Sequence, residues 1–396
     1  MMLGPALLMW LGWWLLPAAP PPQPAQPSYV GSPPCARCHA PIYDRWQRTR
    51  MANVVRDPRE HPDAIISDFA RPNPLVTFTK DQIAFVYGSK WKQRYFRREG
   101  DDFFPLPAQW DVTHRQWRAY GVTGATSGLC DGCHPVNYDI TRKTVTEWNV
   151  GCERCHGPGS DHAGRPARTN IVNPARLDPM AAVDVCVQCH SEGHPPAPVE
   201  SPSSPARGTR EGGEFHWPVG FKVGLRLADF WRLDGYTLGT TDTLHFADGH
   251  ARENRMQGND FVQSLMYRRG VTCASCHDPH GTPNNADLIK SPRLVCLTCH
   301  GPASPNGPRT ATIEQHTHHA SGSAGNECVG CHMPKIAVML GDVTVRSHTF
   351  KFIAPAMAER LKMPDPCTTC HTDKTRAWAT DVLKTWPELS PWRVGP

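Results

Sequence analysis

Between residues 75 and 120, apolar and polar positions alternate in short runs, LVTFT, QIAFVY, KQRYF and QWRAY, interrupted by the turn-forming GDD. Period-two alternation bounded by turn residues predicts a small β-meander. Its basic run, Lys90 to Arg98, reads either as a solvated hairpin face or as a docking patch for a partner. PIYDRWQRTRMANVV (41–55) has helical spacing instead, with Pro41 suited to a first turn. Near the C-terminus Trp378, Val382 and Trp386 recur four residues apart, giving one apolar helix face stopped by Pro387.

An apolar run from Leu3 to Leu16 opens the chain. It is too short to span a bilayer and fits the core of an export signal. No Lys or Arg precedes Arg37, so the usual basic start is missing. No cysteine lies near the expected cleavage point, which argues against a lipid anchor, while an uncleaved membrane segment stays open. A signal and Pro-rich stretch over 1–27 therefore precede the body. A second Pro-, Ser- and Gly-rich stretch, 195–214, reads as a linker between an N-terminal module (28–194) and a C-terminal one (215–396).

Pro and Gly number 40 and 32 of 396 residues, high for a globular chain but below the level that marks disorder. The cysteines change the picture more. There are sixteen, and every one falls in a Cys-x-x-Cys-His unit. These are Cys35, Cys38 and His39; Cys130, Cys133 and His134; Cys152, Cys155 and His156; Cys186, Cys189 and His190. The second half carries Cys273, Cys276 and His277; Cys296, Cys299 and His300; Cys328, Cys331 and His332; Cys367, Cys370 and His371. Chance would supply roughly 0.03 such units. Two thiols at this spacing add to the two vinyl groups of one haem, and the following histidine reaches the iron, so each unit reads as a c-type haem site. Zinc would not require His after every pair, and a disulfide framework would not impose the spacing. Eight covalently attached haems and a core assembled around porphyrins follow.

The formal charge of +5 is then misleading. Two propionates per haem add about sixteen negative charges, so no nucleic-acid partner is inferred from the basic sequence pI. Many Lys and Arg side chains become natural propionate partners. Compact-chain scaling for about 370 residues spaces eight haem centres about 22 Å apart, close enough to conduct electrons.

Twelve histidines remain for the opposite faces of the irons. His162 follows His156 across a short Gly-Pro-Gly turn, and His280 lies three residues past His277. Neither tether can round its own porphyrin, so both are expected to ligate a neighbouring haem. His114 is a further candidate; His61, His194, His216, His245 and His250 are unassigned, and Met256 and Met266 read as core.

YVGSPPCARCHAPIYDRWQRTRMA, VGCERCHGPGSDH, GNDFVQSLMYRRGVTCASCHDPHG, CVGCHMP, RSHTF and PCTTCHTDK resemble exported multihaem cytochromes of the cytochrome c-554-like group, over nearly all of 28–386. The resemblance implies a mostly α-helical, loop-rich fold with haems as core and bis-His ligation at most irons. It implies distal-ligand roles for His162, His280 and His348, and for one of His316, His318 and His319. Met51 stands where the pattern has a histidine. His/Met ligation, an open iron, and a packed methionine with another ligand all remain open there.

Two main functional readings result. One is an electron carrier passing electrons from membrane quinol-linked donors to a terminal reductase or outer acceptor. The alternative is an oxidoreductase acting on a small nitrogen or sulfur compound at one open haem. A polymerising, filament-forming cytochrome is a third, which sequence hardly tests.

Overall fold

The computed structural model describes residues 26–196 and 215–386. The apolar opening run, most of the Pro-rich stretch after it, and most of the 195–214 linker lie outside the described residues. Helix accounts for 31% and strand for 15%, so the protein is mixed and loop-rich rather than mostly helical. The helices are short, and several of them coincide with Cys-x-x-Cys-His segments. Cys152–His156 and Cys328–His332 are single turns of this kind.

The expected meander is present as a five-stranded antiparallel sheet in sequential order: β1 (Val55–Arg56), β2 (Phe85–Tyr87), β3 (Lys92–Glu99), β4 (Asp102–Asp111) and β5 (Gln116–Ala119). Residues 75–79, read as a strand, form turn and loop instead. The register between β3 and β4 shifts between Arg94 and Phe96. An irregularity of this type puts two adjacent side chains out of simple alternation, and Tyr95 and Phe96 are both buried, in separate clusters. Tyr95 packs with Phe78, Ile83, Leu106, Trp110 and Trp117. Phe96 packs with Val55, Phe85 and Tyr87 against Cys130 and Trp148. Burying each such aromatic contributes about 1.5–3 kcal/mol. The second cluster joins the sheet to the Cys130–His134 motif.

The basic run is only partly a solvated face. Arg97 and Arg98 are exposed. Lys92 instead donates to the Met339 carbonyl at 2.9 Å, and Arg94 lies 4.3 Å over the Tyr120 ring. Lys92 thus ties β3 to the hairpin Lys335–Leu340/Val343–Arg346.

The helix expected over 41–55 is Ala36–Trp46. It starts inside the first haem motif, kinks at His39 (φ −115°, ψ 31°) and resumes through Pro41. The kink disposes of the amide that proline lacks. Met51–Asn53 is a separate short turn. The C-terminal helix, Arg376–Lys384, is capped by the Thr375 hydroxyl, and buries Ala379 and Leu383.

Residues on the two sides of 195–214 pack together. Arg255 pairs with Glu192, and the Gly258 amide donates to the His190 carbonyl at 2.7 Å. Among the described residues no helix is long and apolar enough to cross a membrane.

Candidate functional site

All sixteen cysteines are free thiols, and thiols of different motifs lie beside one another. Cys35 neighbours Cys152, Cys133 neighbours Cys189, Cys186 neighbours Cys273, and Cys296 neighbours Cys328. Somewhat looser neighbours are Cys155 with Cys189, Cys276 with Cys299, and Cys331 with Cys370. The contacts run in one order. Motif one touches three, three touches four, and four leads through five, six and seven to eight. Motif two joins at four, as a branch. Among the described residues no group of three or more His, Cys, Asp or Glu is gathered as a metal site.

Histidines far apart in sequence face each other. His39 and His162 have ring centres 6.3 Å apart and planes 13° from parallel. His156 and His280 are 6.2 Å and 22° apart, and His316 and His332 6.3 Å and 5°. His319 and His371 are 5.9 Å and 37° apart. A metal–imidazole bond is about 2.0 Å and the ring centre about 1.1 Å beyond the nitrogen, so two imidazoles across one metal have centres about 6.2 Å apart. The residues present fit an iron between each pair.

Several histidines of these pairs and of other motifs have an engaged outer nitrogen. Nδ1–H donates to a carbonyl in His156 (Val172, 2.8 Å), His277 (Ala286, 2.8 Å), His300 (Asn306, 2.6 Å), His319 (Thr317, 2.5 Å) and His348 (Arg346, 3.1 Å). His162 Nδ1 lies 3.1 Å from both the Ala167 carbonyl and Asn170 Oδ1, and His280 Nδ1 2.8 Å from Asp278. A proton held on Nδ1 leaves the Nε2 lone pair for a metal.

The remaining candidates are placed differently. His348 lies near His190 and His277, its amide donating to Asp260 at 2.8 Å; burial lowers its pKa to about 4, which keeps it neutral. His318, in a left-handed conformation (φ 54°), stacks on Trp386 at 4.2 Å. Two members of the 316–319 cluster, His316 and His319, thus face motif histidines, where one was expected. His114 has Nδ1 2.9 Å from Asp111 and Nε2 3.3 Å from Asp342, so in this arrangement neither nitrogen is left for iron. His250 is likewise used up, between Asp248 and Thr349. Met51 is half-buried in its short turn, and its carbonyl accepts from the Val150 amide, just before the third motif.

His134, in the branch motif, is unlike the others. Its ring meets Tyr87 at 5.2 Å and 75°, and its buried Nδ1 has no hydrogen-bond partner. Burial, then the nearby Arg255, Arg94 and Arg154, lowers its pKa to about 4. Sequence reasoning passed over Tyr87 and these arginines because they come together only through the sheet and the third motif.

A family model described as a doubled CXXCH motif matches residues 267–305. The structure superposes on the crystal structure of the outer cell wall cytochrome OcwA with a TM-score of 0.74, at 23% identity, covering 90% of this chain and 86% of that one. The fold is that of a multihaem c-type cytochrome. An undecaheme cytochrome from the S-layer of Carboxydothermus ferrireducens matches this structure with a TM-score of 0.52 and 19% identity, over 91% of this chain and 61% of that one. In sequence the chain is 20% identical over 408 residues to the dissimilatory sulfite reductase MccA of Wolinella succinogenes. That alignment takes in 77% of this chain but only 50% of the reductase. The matched stretch, 267–305, holds the fifth and sixth Cys-x-x-Cys-His units.

Proposed function

We propose that the protein is an exported octahaem cytochrome that conducts electrons, with most irons held by two histidines. The observation that carries this reading is the continuous series of inter-motif thiol contacts. Thioether sulfurs mark one edge of each porphyrin, so neighbouring sulfurs mean neighbouring haem edges. Electrons would run between the first and eighth motifs through the third to seventh. His39, His156, His332 and His371 would bind their irons opposite His162, His280, His316 and His319. His348 would serve the fourth or fifth iron. The donor would be a membrane quinol-linked protein and the acceptor a reductase or an outer acceptor. The cell-wall and S-layer origin of the structural relatives supports an extracytoplasmic place. Haem supplies the one-electron chemistry; the chain holds the imidazoles neutral, orients them through Nδ1 and excludes water.

The test is the haem content of mature protein by pyridine haemochrome assay, with stopped-flow reduction. Eight haems that all oxidise and reduce within one kinetic ensemble support the reading. A stoichiometry well below eight refutes it.

A second reading is favoured by His134. Its ring meets a tyrosine instead of a second imidazole, and its Nδ1 is buried without a hydrogen-bond partner. We infer that the branch haem is the candidate open iron, making this arm a site of chemistry fed by the wire. Low-temperature electron paramagnetic resonance separates the readings. A high-spin ferric signal sensitive to nitrite or sulfite favours an enzyme, and only low-spin signals favour a carrier.

A further inference from the structure

Helix Cys152–His156 carries Arg154 to the point where three motifs meet. Its side chain lies among the thiols of Cys133, Cys155 and Cys189, one from each of the second, third and fourth units. One guanidinium nitrogen donates to the Gly132 carbonyl and stands 3.9 Å from Cys189 Sγ. Its Nε is buried without a hydrogen-bond partner. The adjacent carboxylate is committed elsewhere, because Glu153 accepts from the amides of Val30, Gly31 and Gly159. Among the described residues no carboxylate pairs with Arg154. Arg255, in the same neighbourhood, is matched by Glu192.

Free thiols can balance the guanidinium partly by losing protons. Thioethers cannot. Once haem is attached the cation would stand near the sulfur-bearing edges of three porphyrins. A charge buried in a low-dielectric interior keeps most of its field and is little screened by salt. Ferrous haem carries one positive charge fewer than ferric, so a nearby cation favours the reduced state.

We propose that Arg154 is an electrostatic tuning residue at the branch of the haem chain, raising the reduction potentials of the haems on Cys133, Cys155 and Cys189. The inference rests on the haem-attachment reading above. One electron leaves a ferrous neighbour and reduces one ferric iron at the branch. The branch, which includes the haem of the second motif, therefore collects electrons before they enter the longer arm.

The test is a spectroelectrochemical titration of the holoprotein carrying Arg154→Gln. The expected result is a shift to lower potential confined to at most three haem equivalents, largely restored in Arg154→Lys. Three outcomes would overturn it: an unchanged curve, a uniform shift of every haem, or an Arg154→Lys shift as large as that of Arg154→Gln. Should Arg154→Gln assemble poorly, Arg154→Met offers similar length without a polar head and is read in the same way. Haem content is measured first. A wild-type protein short of haem counts against attachment, whereas unchanged potentials at full content count against Arg154 alone.

Discussion

His280 faces His156 at 6.2 Å, although it lies only three residues beyond His277, the histidine of its own motif. The pairing crosses the 195–214 linker, and it binds a residue of the second half to a haem site of the first. Removing the imidazole with His280→Ala is expected to convert one haem from low to high spin while the others keep their signals. Electron paramagnetic resonance of the oxidised variant reads this directly. A spectrum identical to wild type would detach His280 from iron.

His162 offers the matching experiment at the first motif. His162→Met exchanges an imidazole for a thioether, and methionine ligation raises haem potential. One haem equivalent is expected to titrate at higher potential, with total haem unchanged. The measurement is the same optical titration.

At Met51 the direction reverses. If its thioether binds iron, Met51→His lowers a single potential. An unaltered titration curve would assign Met51 to packing.

Lys92 gives the protein a pH-dependent stability term. Burial lowers its pKa from 10.5 to about 7. Between these values the unfolded chain binds more protons than the folded one, so folding stability gained from this group rises with pH across that window. Below about 7 both states are protonated and the buried charge is an undiminished cost. Lys92→Met is expected to be relatively more stable at neutral pH and to lose the rise towards pH 10. Denaturant melts of both proteins across that range check the difference.

The sheet is expected to be sensitive to core truncation. Phe96 is 2% exposed and packs 4.5 Å from Tyr87. Phe96→Ala should cost about 3–5 kcal/mol, read as a lowered thermal midpoint by circular dichroism. Because Tyr87 also meets His134, the spectrum of the branch haem should change with it.

The parts legible in the sequence are those set by short-range chemistry. Haem attachment requires two thiols and a histidine at fixed spacing, so the motifs could be read without any fold. The short tethers before His162 and His280 pointed to partners outside their own motifs, and their rings face His39 and His156. Alternation marked β2 to β5, although it mistook 75–79 for a strand. The partners were not legible. That His162 meets His39, or Arg154 meets Cys133 and Cys189, depends on contacts between motifs far apart in the chain. Helix content was overstated because the resemblance speaks of helices, whereas here many are single turns. His316 and His319 were not separable in sequence, being three apart in a cluster that the left-handed turn at His318 splits between two motifs.

Glu153 accepts from the amides of Val30 and Gly31, across more than 120 positions of chain, and Ser32 is tied to Glu147. The segment just ahead of Cys35 thus has no mould of its own until synthesis has reached Glu147 and Glu153. The leading end of the chain waits on the third motif for its scaffold, and Glu153→Gln should be felt first as a lower yield of folded protein.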